Sequence, residues 1–324
     1  MNKIAILTSG GDAPGMNACI RAVVKSSIHF GMECIGIYDG FQGLIDRKSC
    51  KLEYSHVNNI IQRGGTILGT ARSKEFRTFE GRQKAINYLK ILGVEGLVVI
   101  GGDGSFTGAK TLGDEFDLPI IGIPGTIDND IYGTDHTIGY DTALNTVVDA
   151  VDKIRDTASS HNRIFFVEVM GRASGFIALN SAIASGAESV LIPEEITDIP
   201  ALASNIKNFN KGQRSSIVII AEGDDAGGAV TIMQKVKPYL PDYDLRYSVL
   251  GHLQRGGNPS AYDRIIATRM GVKAVELLRE GETNKMVGVD GERIVIESIE
   301  NGISKSVIPN LSKLDLIAQL RTKK

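Results

Sequence analysis

Seven short runs of Val, Ile and similar residues set what this chain can fold into. They are Ile4–Leu7, Cys34–Ile37, Leu97–Ile100, Ile120–Ile123, Ile164–Val169, Val190–Ile192 and Ile217–Ile220. Each is almost continuously apolar, the pattern of a strand covered on both faces. Helical patterns lie between them. Leu144, Val147, Val148, Val151 and Ile154 form one apolar stripe between Asp141 and Ser159. A second helix is expected from Ala261 to Arg279, with Ile265, Ile266, Met270, Val275, Leu277 and Leu278. This alternation predicts an α/β protein built on two doubly wound, mainly parallel sheets. A chain of 324 residues is long enough for two such domains. Breaks are expected in the Gly- and Asp-rich segment Pro124–Gly139 and near Gly251–Gly257. The expected domains are residues 1–138 plus 252–305 and residues 139–251 plus 306–324. Ligands are expected at the C-terminal ends of strands, in a cleft between the domains.

Charge and cysteine content exclude several classes. Lys plus Arg number 36 against 38 Asp plus Glu, so no basic excess points to nucleic acid or an acidic membrane. The three cysteines, Cys19, Cys34 and Cys50, have no CxxC spacing. A disulfide framework or zinc site is not expected, and a reducing cytoplasm fits. The N-terminus has neither the apolar stretch nor the cleavage site of a signal peptide. No run of apolar residues is long enough to span a membrane.

Three glycine-rich turns follow strands. The first is Thr8-Ser9-Gly10-Gly11-Asp12-Ala13-Pro14-Gly15-Met16-Asn17, between a strand and a helix. Glycines let backbone N–H groups approach a phosphate, and a helix N-terminus adds positive potential. A tight strand–helix turn uses the same residues. It is not a Walker loop: Gly10 and Gly15 have the spacing, but Met16-Asn17 stands where Lys-Ser/Thr is needed. The second turn is Gly101-Gly102-Asp103-Gly104-Ser105. An acid held between glycines reaches a phosphate-bound Mg²⁺ while the amides hold the phosphates. GxGxxG is absent here, which disfavours a nicotinamide cofactor. The third is Pro124-Gly125-Thr126-Ile127-Asp128-Asn129-Asp130. Two carboxylates with a hydroxyl beside them suit proton removal from a sugar alcohol. A calcium loop fails, because the fifth position counted from Asp128 is Tyr132 and the twelfth is Gly139.

Basic residues cluster at strand ends. Arg163 opens a strand that Met170-Gly171-Arg172 closes, and Arg246 precedes Gly251-His252-Leu253-Gln254-Arg255-Gly256-Gly257. Arginine forks match phosphate oxygens in bidentate fashion. His252 is a candidate donor to a phosphate or sugar hydroxyl. His29, His56, His136 and His161 lack metal-ligand spacing and read as structural or solvent-facing.

Taken together, these segments resemble the bacterial ATP-dependent phosphofructokinase family. The matching pieces are LTSGGDAPGMNA (7–18), GGDGS (101–105), PGTIDND (124–130), KIRDTASSH (153–161), MGR (170–172) and GHLQRGG (251–257). They occur in the family's order and cover nearly the whole chain. GGDG alone is shared with NAD kinases and lipid kinases; PGTIDND with MGR and GHxQRGG is specific.

The resemblance implies phosphoryl transfer from MgATP to fructose 6-phosphate. It implies that residues 1–138 plus 252–305 bind ATP, and that 139–251 plus 306–324 bind the sugar phosphate. Gly11, Arg72, Ser73, Gly102, Asp103, Gly104 and Ser105 would hold ATP, with Asp103 on Mg²⁺. Thr126, Asp128 and Asp130 would surround the reacting hydroxyl, Asp128 as general base. Gly11, Arg72, Thr126 and Arg172 would complete the catalytic set. Met170, Gly171, Arg172, Glu222, His252 and Arg255 would bind fructose 6-phosphate. Arg163 and Arg246 would reach the substrate of a neighbouring subunit in a cytoplasmic homotetramer.

Pyrophosphate-dependent relatives resemble GGDD where Gly104 stands and PKT where Gly125 stands; glycine at both positions favours ATP. Alternatives from other classes are an NAD-kinase-like enzyme and a non-catalytic nucleotide or sugar-phosphate sensor, although a sensor has no need of a base. The family's ADP and phosphoenolpyruvate site is matched in part. Arg21, Arg155, Gly186, Glu188, Lys211 and Arg214 agree with it, and Lys25 keeps a charge. Lys25 and Tyr54 stand where arginines are usual. Asn59 replaces an aspartate, and Gln213 and Ser215 replace a lysine and a histidine. Weak or altered effector control is expected. Ala173-Ser174-Gly175-Phe176 after MGR also departs from enteric-type members.

Overall fold

The structure, a computed structural model, describes residues 1–159, 163–209 and 215–321. The chain divides into two compact units. One comprises Met1–Ile127, Ile131–Thr142 and Arg255–Ser306; the other comprises Asp128–Asp130, Ala143–Gln254 and Val307–Lys324. The three residues Asp128–Asp130 thus group with the second unit.

The strands in chain order are β1 (Lys3–Thr8), β2 (Glu33–Ile37), β3 (Ser49–Leu52), β4 (Gly96–Gly101), β5 (Ile120–Pro124), β6 (Arg163–Val169), β7 (Ser189–Leu191), β8 (Ser216–Ala221), β9 (Asp244–Val249), β10 (Lys285–Asp290) and β11 (Arg293–Ser298). The first unit holds a seven-stranded sheet in the order β11-β10-β5-β4-β1-β2-β3. Its five central strands are parallel, and antiparallel β3 and β11 close its edges. The second unit holds a four-stranded parallel sheet, β7-β8-β6-β9. Six of the seven apolar runs lie in interior strands, and the seventh, Val190–Ile192, falls on β7 at an edge of the smaller sheet. Residues of β1, β4, β6 and β8 such as Ile6, Val98, Phe166 and Ile219 are fully buried, as coverage of both faces requires.

Four strands lie beyond the seven runs. β3, β9 and β11 are sheet edges, and β9 leaves Tyr247 and Val249 exposed. These three edge strands carry mixed polar and apolar residues, so the continuous-run criterion passes over them, whereas edge strand β7 is apolar enough to be found. β10 and β11 form a hairpin across Asp290–Arg293, with Gly291 at φ 54°. Asp290-Gly291 between two β-rich runs is the sequence signal that marks it.

The core of the first unit packs Leu7, Leu97, Val99, Phe106, Leu112 and Ile120 with Phe41 and Phe76, whose rings stack at 4.2 Å. That of the second packs Ile164, Phe166, Val218 and Ile220 against Ile206, Ile232 and Val236. Burial of such side chains, each worth about 1.5–3 kcal/mol, drives both units to fold.

Strand order decides where the turns fall. In the first unit the chain leaves β1 toward β2 on one side, while β4 pairs on the other. The turns after β1 and β4 therefore begin side by side at the switch point of the sheet. The β1 turn enters the helix Met16–His29, and the β4 turn enters the helix Asp103–Phe116.

A polar junction joins two further helix starts. Ser260 caps the helix Ala261–Glu280 by accepting from Asp263 N at 3.1 Å, and its hydroxyl donates to Asp141 at 2.5 Å. Buried Asp263 accepts from Gly139 N and Thr142 N, both at 2.8 Å, and from Thr142 Oγ1 at 2.5 Å. These bonds satisfy amides at the start of the helix Tyr140–Ser159. Burial pushes the Asp263 carboxyl up to about 6, and the bonds from Thr142 and Gly139 oppose the rise.

Candidate functional site

The first two turns and the start of the third converge within the first unit. Thr8 lies opposite Ile100 in the β1–β4 ladder. Ser9 N then donates to Ile100 O at 2.9 Å, and Gly125 N to Gly101 O at 3.0 Å. The buried hydroxyl of Ser105 sits between the turns. A Cβ at Gly10 would lie 3.2 Å from it and one at Gly101 only 2.5 Å. Thr126 stands beside Gly102, 3.6 Å from where a Cβ would be. Small residues at Gly10, Gly101 and Gly102 thus leave a backbone-lined surface at the start of the helix Asp103–Phe116. Exposed amides with a positive helix end suit an anionic ligand.

Asp103 is the first residue of that helix and is exposed. At Gly104 an added Cβ would meet nothing within 4 Å. Gly125 differs, because a Cβ there would lie 2.8 Å from Ile100 Cγ2 and 3.2 Å from Met16 Cε. Packing thus requires glycine at 125, whereas at 104 the protein leaves open space. Arg72 is exposed, and Ser73 Oγ accepts from Phe76 N at 3.0 Å.

Arg255 lies against the first turn. Its Nη1 donates to Asp12 O at 3.2 Å, and its guanidinium occupies the space that a Cβ on Gly11 would need. Sequence reasoning grouped Arg255 with the sugar-binding residues; here its fork rests on the turn that follows β1. Asn17 organises the neighbouring loop by donating to Arg63 O and Gly64 O, both at 3.1 Å, and accepting from Ile67 N at 2.7 Å. The motif containing Asn17 was legible, but its contact with residues 63–67 was not.

In the second unit, the carboxylate of Asp128 is buried and pairs with Arg172, Nε to Oδ2 at 3.4 Å. Arg172 has φ 54° and Gly171 φ 142°, so the turn after β6 runs through the left-handed region. Glu222 Oε1 accepts from Arg172 N at 2.9 Å. Met170 N donates to the buried side chain of Gln254 at 3.2 Å, and Gln254 Nε2 donates to Gly251 O at 3.1 Å. Gln254, part of the GHLQRGG motif but given no role of its own from the sequence, links Met170 to the segment that carries His252. His252 itself is exposed, and Asp130 is half-buried.

Arg163 and Arg246 meet on one carboxylate. Arg163 Nε is 2.8 Å from Asp244 Oδ2, and Arg246 Nη2 is 3.0 Å from Oδ1. The pairing follows from register, because Asp244 lies opposite Arg163 in the β6–β9 ladder. Edge strand β9 was not predicted, so Asp244 was not singled out either.

The residues matched to an effector site fall in both units, and each group is local. Lys25 Nζ lies 3.8 Å from the Tyr54 ring centroid. A hydrogen bond from Lys25, with the charges of Lys25 and Arg21, holds the Tyr54 hydroxyl below its usual range. Asn59 has φ 56°. Arg155 pairs with Glu188 at 3.1 Å and donates to Ser185 O and Gly186 O at 3.1 and 2.9 Å. Lys211, Gln213, Arg214 and His161 lie outside the described residues.

Comparison with known proteins agrees with these features. A family profile described as Phosphofructokinase matches residues 3–278. An ATP-dependent 6-phosphofructokinase 2 of Bacteroides thetaiotaomicron is 58% identical over 90% of this chain and 90% of its own length. An ATP-dependent 6-phosphofructokinase of Bacillus subtilis is 54% identical over 92% and 93%. Among solved structures, phosphofructokinase from Saccharomyces cerevisiae aligns with a TM-score of 0.85 and 38% identity, covering 98% of this chain and 46% of that one. With the profile spanning most of its length and both bacterial relatives identical at more than half of the aligned positions, this chain belongs to the phosphofructokinase family.

Proposed function

We infer that the chain is an ATP-dependent 6-phosphofructokinase, transferring the γ-phosphoryl group of ATP to the 1-hydroxyl of fructose 6-phosphate in glycolysis. Support comes from the ATP-dependent relatives and, in the molecule, chiefly from the Asp128–Arg172 pair: a buried carboxylate able to take a proton, beside a cation able to hold charge. Phosphoryl transfer asks mainly for in-line positioning and charge neutralisation.

In this reading the first unit binds ATP and the second binds the sugar phosphate. The backbone of Gly11 and Gly102–Ser105 cradles the phosphates, with Arg72 and Ser73 beside them. Thr126, Asp128 and Asp130 face the acceptor hydroxyl. Met170, Gly171, Arg172, Glu222, His252 and Arg255 hold the sugar phosphate. Asp128 Oδ takes the proton as the hydroxyl attacks, and Arg172 orients the acceptor. The residues fit a Mg²⁺ ion that arrives on the nucleotide. Asp103 is one exposed carboxylate at a helix start, and no group of three or more metal-binding side chains occurs among the described residues. Bound there, the ion would neutralise phosphate charge.

The same reading makes the enzyme a cytoplasmic homotetramer in which Arg163 and Arg246 reach a neighbour's substrate. Free thiols at Cys19, Cys34 and Cys50 accord with a reducing compartment. No described helix is long and apolar enough to cross a membrane. Effector control by ADP or phosphoenolpyruvate is weak, because Lys25 is engaged by Tyr54 and lacks a bidentate fork.

The test is a coupled assay for fructose 1,6-bisphosphate with ATP and then with pyrophosphate. Turnover with ATP is expected; turnover with pyrophosphate alone would overturn the donor. Asp128→Ser is expected to keep substrate binding and to lower kcat by ~10²–10⁴. Near-normal turnover would remove Asp128 from the role.

A further inference from the structure

The turn that carries Arg172 is bent against its own preferences. Arginine at φ 54° is in a region that L side chains rarely adopt, and such a conformation persists only where its surroundings enforce it. Within the turn, only one backbone bond helps, Ser174 N to Gly171 O at 3.0 Å among the described residues. Ser174 Oγ adds two long contacts, donating to Asp128 O and accepting from Phe176 N, both at 3.5 Å. Two carboxylates on two other loops restrain the turn further. Glu222, just past β8, accepts from Arg172 N. Glu194, just past β7, accepts from Gly175 N at 2.9 Å through Oε1.

The three loops are neighbours because their strands are. β7 pairs with β8 and β8 with β6, all parallel, so all three chains emerge at the same end of the sheet. The two acid-bearing loops are also fastened to each other. Thr197 N donates to Asp225 Oδ1 at 3.0 Å, and Thr197 Oγ1 donates to Asp224 Oδ2 at 2.9 Å. Close packing completes the brace. A Cβ on Gly175 would lie 2.6 Å from Glu194 Oε2, which is buried and has no hydrogen-bond partner among the described residues, and one on Gly223 would overlap the carbonyl of Arg172.

We propose that Glu194 is a positioning residue for the acceptor side of the reaction: by holding Gly175 N it fixes the far end of the left-handed turn, and so sets the Arg172 guanidinium against Asp128. Glu222 holds the near end, and Thr197 keeps the two acids at one spacing. This rests on the assignment of Asp128 and Arg172 to the acceptor hydroxyl. Glu194 itself touches no reacting atom in this scheme; it acts through Arg172.

Glu194→Ala removes the acceptor, whereas Glu194→Gln keeps a carbonyl oxygen for Gly175 N. In E194A the KM for fructose 6-phosphate should rise and kcat fall, each by about tenfold, with the KM for ATP within about twofold of wild type. E194Q should restore both sugar-side parameters to within about threefold. Amide exchange at Gly175 should quicken by about tenfold in E194A and not in E194Q, with no substrate present. Equal rises in both KM values together with a lowered Tm would make Glu194 merely structural and overturn the proposal. So would an E194Q enzyme as impaired as E194A, or unchanged exchange at Gly175 in E194A. An inactive wild-type enzyme would instead sink the kinase reading, and the exchange measurement would still decide whether Glu194 braces the turn.

Discussion

Gly104 and Gly125 illustrate how two glycines in one site answer to different forces. Gly125 is held by packing, since a side chain would strike Ile100 and Met16. Gly104 has open space, so the fold tolerates a larger residue and the bound donor decides what is allowed. Gly104→Asp is therefore expected to leave the Tm within about 2 °C of wild type, the shift of a typical harmless surface change. Its kcat/KM for ATP should fall by about 10² or more, because an added carboxylate would crowd and repel a phosphate held against the backbone there. Thermal melts and steady-state kinetics on the same preparation check both halves. A large loss of Tm would mean that the backbone at the helix start, and not the donor, requires glycine there.

Among the elements, the junction of the helices Tyr140–Ser159 and Ala261–Glu280 buries a carboxyl against its own charge. Asp263 titrates at about 6 when folded against an ordinary value of 3.8, because burial disfavours its charge. The folded state thus binds a proton more tightly than the unfolded chain. The stability this contributes is complete below the unfolded value and is lost as pH rises through about 6. From about pH 5 to about pH 8 the loss is on the order of 1 kcal/mol. Asp263→Asn cannot titrate, so the stability of wild type relative to D263N should fall by about that amount over the same interval. Urea unfolding at the two pH values measures it; a difference that stays constant or grows would place the folded value at or below the unfolded one. One of the chain's passages between units, Thr142 to Ala143, falls within the helix whose start Asp263 caps.

For the whole molecule, the proposed tetramer makes Asp128 and Arg246 of one active site come from different subunits. Asp128→Ser and Arg246→Ala should each be nearly inactive, the second mainly through the KM for fructose 6-phosphate. If the two are unfolded, mixed in equal amounts and refolded together, about a quarter of the sites carry both native residues, and activity should recover to about a quarter of wild type. Activity no higher than the mean of the parents would place both residues in one chain's site. Initial rates against fructose 6-phosphate should follow a nearly hyperbolic curve, and added phosphoenolpyruvate should shift it little. Strong sigmoidal inhibition would show that Lys25 serves an effector phosphate despite its contact with Tyr54.

The sequence by itself determined the strand cores, the helices between them and the three turns. Continuous Val/Ile runs, a 3.6-residue apolar stripe and glycines after strands are local signals, each rooted in one element's own burial or backbone geometry. The four strands passed over lie largely at edges or in a hairpin, where pairing and not burial defines the element. Tertiary structure alone decided which turns meet, because strand order sets that and no local pattern encodes it: β1 beside β4 joins Ser105 to Gly10, and β7-β8-β6 brings Glu194 and Glu222 to Arg172. It also decided the partners of charge. Asp244 and Asp263 look ordinary in sequence, and only register and burial give them arginines, amides and a raised carboxyl to serve.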